Sequence, residues 1–198
     1  MNKNKTTSPP SNRQHVIETA AGLFLIRGYS YTSMDDVMRE SQVSKSNIYY
    51  HFKSKEELLL AVVNYWAESY ERSLFALLSR NELSVEERIM TFLDGLTEGI
   101  ARRNGHGGCP FVTLYLQCPE NAVPVRERIA LFFTELRPML VKLFRQGAAK
   151  GEFRQQLDPE QAALLFIACL EGALVLSETT KDLSVMETTV RSFCQMLH

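Results

Sequence analysis

Two kinds of side-chain chemistry stand out in this chain. The first is thiol chemistry. Of four cysteines, at 109, 118, 169 and 194, two lie in GGCPFVTLYLQCPE, residues 107 to 120, as Cys-Pro dipeptides nine residues apart. A thiol pair can form a bridge, ligate a metal or act as a redox switch. If the residues between are helical, about 1.5 Å per residue separates the two backbones by about 13 Å, beyond the roughly 7 Å reach of a disulfide. Zinc needs three or four protein ligands, and His106 with Cys109 supplies two, so no metal is expected. The histidines at 15, 51, 106 and 198 are dispersed. No nucleophile, base and orienting group assemble in the sequence, so neither an enzyme nor a cofactor is expected. The second chemistry is the run Ser44, Lys45, Ser46, Asn47, Ile48, Tyr49, Tyr50, His51, which is polar, aromatic and basic without one acid. Lysine pairs with guanine or phosphate, asparagine with adenine, and hydroxyls with phosphate.

The elements that position these groups are helical. Ser11 with Gln14, Ser33 with Asp36, Ser54 with Glu57, Ser84 with Glu87 and Ser184 with Glu187 each set a capping hydroxyl three residues before a side chain that can cap in return. Asp158 before Pro159 marks a sixth start. Val16, Ile17, Ala20, Ala21, Phe24 and Leu25 share one helical face, which Gly28 ends. The spacing predicts helices over 12–27, 34–40, 44–51, 55–79, 85–103, 110–117, 122–149, 159–178 and 185–197, an all-α chain of about nine helices. Pro138 should kink the seventh. Residues 1–11, with Pro9 and Pro10, read as a flexible basic arm.

Residues 1–55 carry eight basic and four acidic side chains, a balance of +4, which leaves −5 for the rest of a chain whose net charge is −1. A basic head on an acidic body suggests that the head meets a polyanion. No apolar run reaches the roughly 18 residues of a membrane span, and the start lacks the apolar segment of a signal peptide. Scattered cysteines fit a reducing compartment. The expectation is a cytoplasmic protein, nucleoid-associated when bound to DNA, with no membrane partner.

Two short helices joined by a tight turn follow a longer one, the pattern of a helix-turn-helix over about 33–52. Val37, Ser41, Val43, Ile48 and Phe52 can bury together and leave the run at 44–51 outward. The stretch GYSYTSMDDVMRESQVSKSNIYYHFKSKEELLLAVV resembles the DNA-binding domain of the tetracycline-repressor (TetR) family, over roughly residues 12–65. The resemblance implies a homodimeric transcription factor, usually a repressor, that leaves a palindromic double-stranded DNA operator when a small-molecule inducer enters its C-terminal domain. It places Ser33 and Met34 at phosphate, Lys45, Ser46 and Asn47 in the major groove, and Tyr49, His51 and Lys55 on the backbone, with Ser44 and Tyr50 beside them. Gln42 stands where the family has a turn glycine, which calls for a left-handed non-glycine residue or a different turn. Ser46 replaces the glycine of the recognition helix. The domains expected are a helix-turn-helix head over 12–60 and a ligand-binding and dimerisation body over 61–198.

The segment PEQAALLFIACLEGALVLSE is apolar nearly all round and must be covered on two faces. A dimer through the last two helices accounts for it, with Ala168, Gly172 and Leu176 on one stripe and Val190, Phe193 and Leu197 from the last helix. Tyr65, Trp66, Phe92, Phe111, Tyr115, Phe133 and Phe166 are candidates to line a cavity, with Tyr70 and Phe132, although aromatics at helical spacing also serve as plain core. Glu171, a carboxylate inside an apolar run, needs a partner if buried. Cys109, at a helix start near Arg102, Arg103 and His106, sits where thiolate is favoured. Some family members that sense electrophiles or oxidants have a Gly-Cys at the corresponding place, so Cys109 resembles a sensor; a packed, unreactive thiol is the other reading.

Overall fold

The computed structural model describes residues 11–198, so most of the basic arm lies outside the described residues. Among these there are nine helices and no strand: α1 (Asn12–Ile26), α2 (Met34–Ser41), α3 (Lys45–His51), α4 (Lys55–Ser79), α5 (Val85–Ala101), α6 (Pro110–Gln117), α7 (Val123–Ala149), α8 (Pro159–Thr180) and α9 (Ser184–Met196). Their starts follow the capping chemistry. Ser33 and Ser84 form reciprocal boxes with Asp36 and Glu87, and Ser11 and Asp158 accept first-turn N–H groups. Ser54 accepts from the Glu57 N–H, but the Glu57 carboxylate takes the Lys53 N–H instead of closing the box. Ser184 is not a cap. It lies inside the first turn, its N–H donates to Asp182, and Glu187 pairs with Arg191.

In the head, Val16, Ala20, Phe24, Val37, Ile48 and Phe52 form one core on which α1, α2 and α3 meet. Gly28 follows the end of α1 with φ +91, a conformation that favours glycine. Gln42 adopts the left-handed conformation that its turn requires, with φ 56 and ψ 21. No linker separates head from body. The boundary expected near residue 60 falls inside α4, 25 residues that run on unbroken for about 37 Å.

In the body, α4 packs on α7, α7 on α8 and α8 on α9. Phe111 stacks on Phe132 with centroids 3.7 Å apart, and Phe144, Phe166 and Phe193 cluster beyond them. Pro138 lies within α7, which continues on both sides of it. By length and composition α8 is apolar enough to cross a membrane, contrary to the sequence expectation, yet it packs between α7 and α9. Val190, Phe193 and Leu197 correct the expected interface. All three are buried in the chain's own core, because the apolar stripe of α9 turns inward onto α8 and Phe144. Ala168, Gly172 and Leu176 are exposed, on a face of α8 shared with Leu164, Leu165 and Val175.

Candidate nucleic-acid interface and inner cavity

Helix α3 lies on the head's core through Ile48 and turns Ser44, Lys45, Ser46, Tyr49 and Tyr50 to solvent. Lys53, which the sequence reading passed over, fixes the end of α3: its ammonium donates to the Tyr49 and Tyr50 carbonyls at 3.0 and 3.3 Å. His51 is half-buried against Tyr50. Asn47 is half-buried too, with its Oδ1 sealed from solvent and unpartnered. The Lys45 ammonium lies 5.9 Å from the Tyr49 ring centre.

The groups assigned to phosphate are in place but engaged. The Ser33 hydroxyl accepts from the Asp36 N–H and donates to the Asp36 carboxylate, and that donation, with those of the Ser33 N–H and Arg39, holds the carboxyl well below the usual carboxylate range. Met34 is partly buried against the core. The Lys55 ammonium sits 4.0 Å from the Tyr29 ring centre, and desolvation lowers its pKa. Tyr31, 87% exposed just before α2, is a further aromatic on the head that the sequence reading did not single out.

Besides the continuous α4, α1 and the turn after it meet the segment around α6. The Tyr29 N–H donates to Gln117 Oε1 of α6 at 2.7 Å. Gly107, with φ +89, lies so close to α1 that a Cβ there would come within 2.8 Å of Leu25.

The candidate cavity residues separate into three groups. Phe92, Phe111, Phe166 and Glu171 line an enclosed cavity of about 30 Å³, together with Tyr70, Phe132 and Cys109. Tyr65 and Trp66 instead line an open groove of about 620 Å³ between α1, α4 and α5, which Phe92 and Tyr70 also border. Tyr115 and Phe133 line neither. Tyr115 is exposed beneath the Arg126 guanidinium, 4.7 Å from its ring centre, and Phe133 packs against Phe111 and Phe132.

Inside the cavity Glu171 is the one carboxylate. Its Oε2 has no partner, and burial pushes its pKa up. Cys109 caps α6 without a side-chain capping bond and is buried. Burial first, then the neighbouring Glu171, drive its thiol well above the ordinary range. This reverses the expectation of a thiolate: desolvation and a nearby carboxylate outweigh the helix N-terminus, and Arg103 stacks on Trp66 instead. Burial likewise drives the Tyr70 hydroxyl upward. All four cysteines are free.

Comparison with known proteins agrees at both ends of the chain. The family model described as "Bacterial regulatory proteins, tetR family" matches residues 16–62, and "Tetracyclin repressor-like, C-terminal domain" matches residues 85–193. An HTH-type transcriptional regulator from the lacX 3' region of Lactococcus lactis subsp. lactis is 27% identical over 179 residues, 90% of this chain and 89% of that one. The HTH-type transcriptional repressor DhaR of Mycobacterium sp. (strain GP1) is 24% identical over 163 residues, 82% of this chain and 80% of its own length. Among solved structures, a TetR transcriptional regulator from Chloroflexus aurantiacus is 31% identical with a TM-score of 0.77, covering 93% of this chain and 92% of its own. The regulatory protein TetR from Rhodobacter sphaeroides, at 22% identity, shares the fold with a TM-score of 0.85 over 94% of this chain and 98% of its own.

Proposed function

The chain belongs to the tetracycline-repressor family of transcriptional regulators, and from that premise we propose that it represses transcription by binding a palindromic operator as a homodimer in the cytoplasm. The observation that carries this reading is the outward face of α3. It holds a lysine, hydroxyls and two tyrosines, no acid, and a rigid seat on Ile48. On that face Lys45, Ser46 and Asn47 read base edges, while Ser44, Tyr49, Tyr50 and His51 hold the backbone. Ser33, Met34 and Lys55 stand where a second set of phosphates passes. For Lys55 this means leaving the Tyr29 ring for a stronger, charge-assisted contact. The family is one of regulators, not enzymes.

The exposed stripe of α8 supports the dimer. Leu164, Leu165, Ala168, Gly172, Val175 and Leu176 are too apolar to remain in water and too long a stripe for chance. A two-fold axis through that stripe pairs the heads for successive half-sites.

The inner cavity supports regulation by a small molecule. Its volume of about 30 Å³ holds one or two waters, so an inducer must expand it. Such an inducer is apolar and carries one donor for Glu171. Its leverage is α4, which lines the cavity at Tyr70 and Leu74 and reaches the head at Lys55 without a break. The inducer acts only if it binds the DNA-free arrangement better than the DNA-bound one. Modification of Cys109 by an electrophile or oxidant is the second trigger. It has less support, since the thiol is buried and held neutral. Electrophile-driven release that persists in Cys109→Ser removes it.

The experiment is selection of bound duplexes from a random pool, followed by titration of the selected site with the Tyr49→Ala, Lys55→Ala double variant. A loss of at least tenfold is expected. Unchanged affinity contradicts the assignment of this face.

A further inference from the structure

The groove between α1, α4 and α5 is unlike the inner cavity in shape and charge. Its floor is made of small residues, and a Cβ added at Gly22 or Gly95 would meet no atom within 4 Å. Aromatic rings of Tyr65, Trp66, Tyr70 and Phe92 stand along it. Its charged residues are Arg80, Arg88, Arg102 and Arg103 against Glu18 alone. Arg80 and Arg102 are paired on the surface with Glu82 and Glu98. The other two make no ion pair, although Glu178 lies near enough to Arg103 to favour its charge.

Arg88 is fully buried. Its Nε donates to the Leu83 carbonyl and its Nη1 to Gln146, both neutral, and its Nη2 has no partner. Burying a guanidinium without a carboxylate is costly, so the fold retains a charge here at the expense of stability. At the other end Arg103 lies 5.6 Å from the Trp66 ring centre and donates only to the His106 carbonyl. Trp66 Nε1–H is itself buried without a partner. An orphaned donor and a guanidinium without a direct ion pair therefore lie side by side, at one end of an open trough whose lining holds four arginines and one glutamate.

We propose that this groove binds an elongated amphipathic anion, with its carboxylate or phosphate head at Trp66 and Arg103 and its apolar body along the floor at Gly95 and Gly99. The head supplies the acceptor that Trp66 Nε1 lacks and a counter-charge for Arg103. The body covers aromatic and glycine surface. The occupant touches α1 of the head and α4 and α5 of the body together, so it fixes the head relative to the body from outside the inner cavity. That consequence for DNA rests on the reading of the head given above; the binding does not.

The chain has one tryptophan, so Trp66 emission reports occupancy directly. The full chain is titrated with oleate and with dodecyl phosphate, and with oleyl alcohol as the uncharged control. A saturable change with one or both anions and none with the alcohol is expected, and which anion binds identifies the head. Arg103→Gln should raise the midpoint about tenfold, the loss of one charge-assisted contact. Gly95→Leu and Gly22→Leu, which fill open space in helices and should melt near the parent temperature, should each abolish the response. Leu136→Phe, which fills the inner cavity, should leave it unchanged. The proposal is overturned by equal binding of the alcohol, by no response to either anion, by a response that survives both leucine variants, or by an Arg103→Gln midpoint equal to the parent's.

Discussion

Helices α3 and α8 both turn an unburied face outward, and the two faces are chemically opposite. On α3 the exposed groups are Lys45, Ser46, Tyr49 and Tyr50; on α8 they are Leu164, Leu165, Val175 and Leu176, each about half exposed. A polar, aromatic and basic face gains by meeting charge and loses little by staying wet. An apolar face gains only by becoming dry. Two exposed faces therefore point to different partners, a polyanion for α3 and a second apolar surface for α8.

The largest expected effect is on α8. Leu176→Glu places a carboxylate on each side of a two-fold interface, and at about 4 kcal/mol for the buried unpaired charge the dimer should weaken on the order of a thousandfold. Sedimentation should show monomer at micromolar concentration, with the helix content unchanged. A Leu176→Glu chain that still sediments as the parent does would move the interface elsewhere.

The α3 face should respond by less, because its contacts are several and shared. Lys45→Ala and Asn47→Ala should each weaken operator binding by about ten- to a hundredfold at fixed salt. They should leave self-association as it is, and loss of the dimer in either variant would erase the distinction between the two faces.

Much of this contrast was legible in the sequence, and the reason is local chemistry. Capping residues at Ser11, Ser33, Ser54, Ser84 and Asp158 set helix starts within a turn, and the burial of Val37, Val43, Ile48 and Phe52 follows from their spacing. What was not legible depends on tertiary placement. The apolar stripe of α9 does not say whether it faces a partner or its own chain, and Val190, Phe193 and Leu197 face their own. Cys109 at a helix start suggests thiolate until Glu171, 62 positions later, is brought beside it. Ser184 matches the capping pattern, but Asp182 reaches the same N–H group first. Nothing in the spacing of Arg88 announces a buried guanidinium without an acid.

The same contrast of wet and dry extends inside the body, where smaller effects are expected. Burial raises the pKa of Glu171, so its native form holds its proton to higher pH than the unfolded chain does. An acid with a raised native pKa contributes stability below its unfolded value, about 4.5, and loses it as pH rises through the native value. Chemical denaturation should therefore show Glu171→Gln gaining on the parent as pH rises from about 4.5. A difference independent of pH would mean that the carboxyl is solvated. Smaller still, Gln42→Gly should stabilise the head by up to about 1 kcal/mol by relieving the left-handed turn, with a raised melting temperature as the readout. A lower melting temperature would show that the Gln42 side chain contributes more than its backbone conformation costs.

The central claim is that the head meets a polyanion through the α3 face and Lys55 at the start of α4, and the salt dependence of binding to the selected operator tests it most directly. With six or more phosphates contacted, affinity should fall on the order of a thousandfold or more between 50 and 200 mM salt, and Lys55→Ala should make that slope shallower by about one. Affinity that hardly changes with salt, or a slope identical in the Lys55→Ala variant, would contradict it.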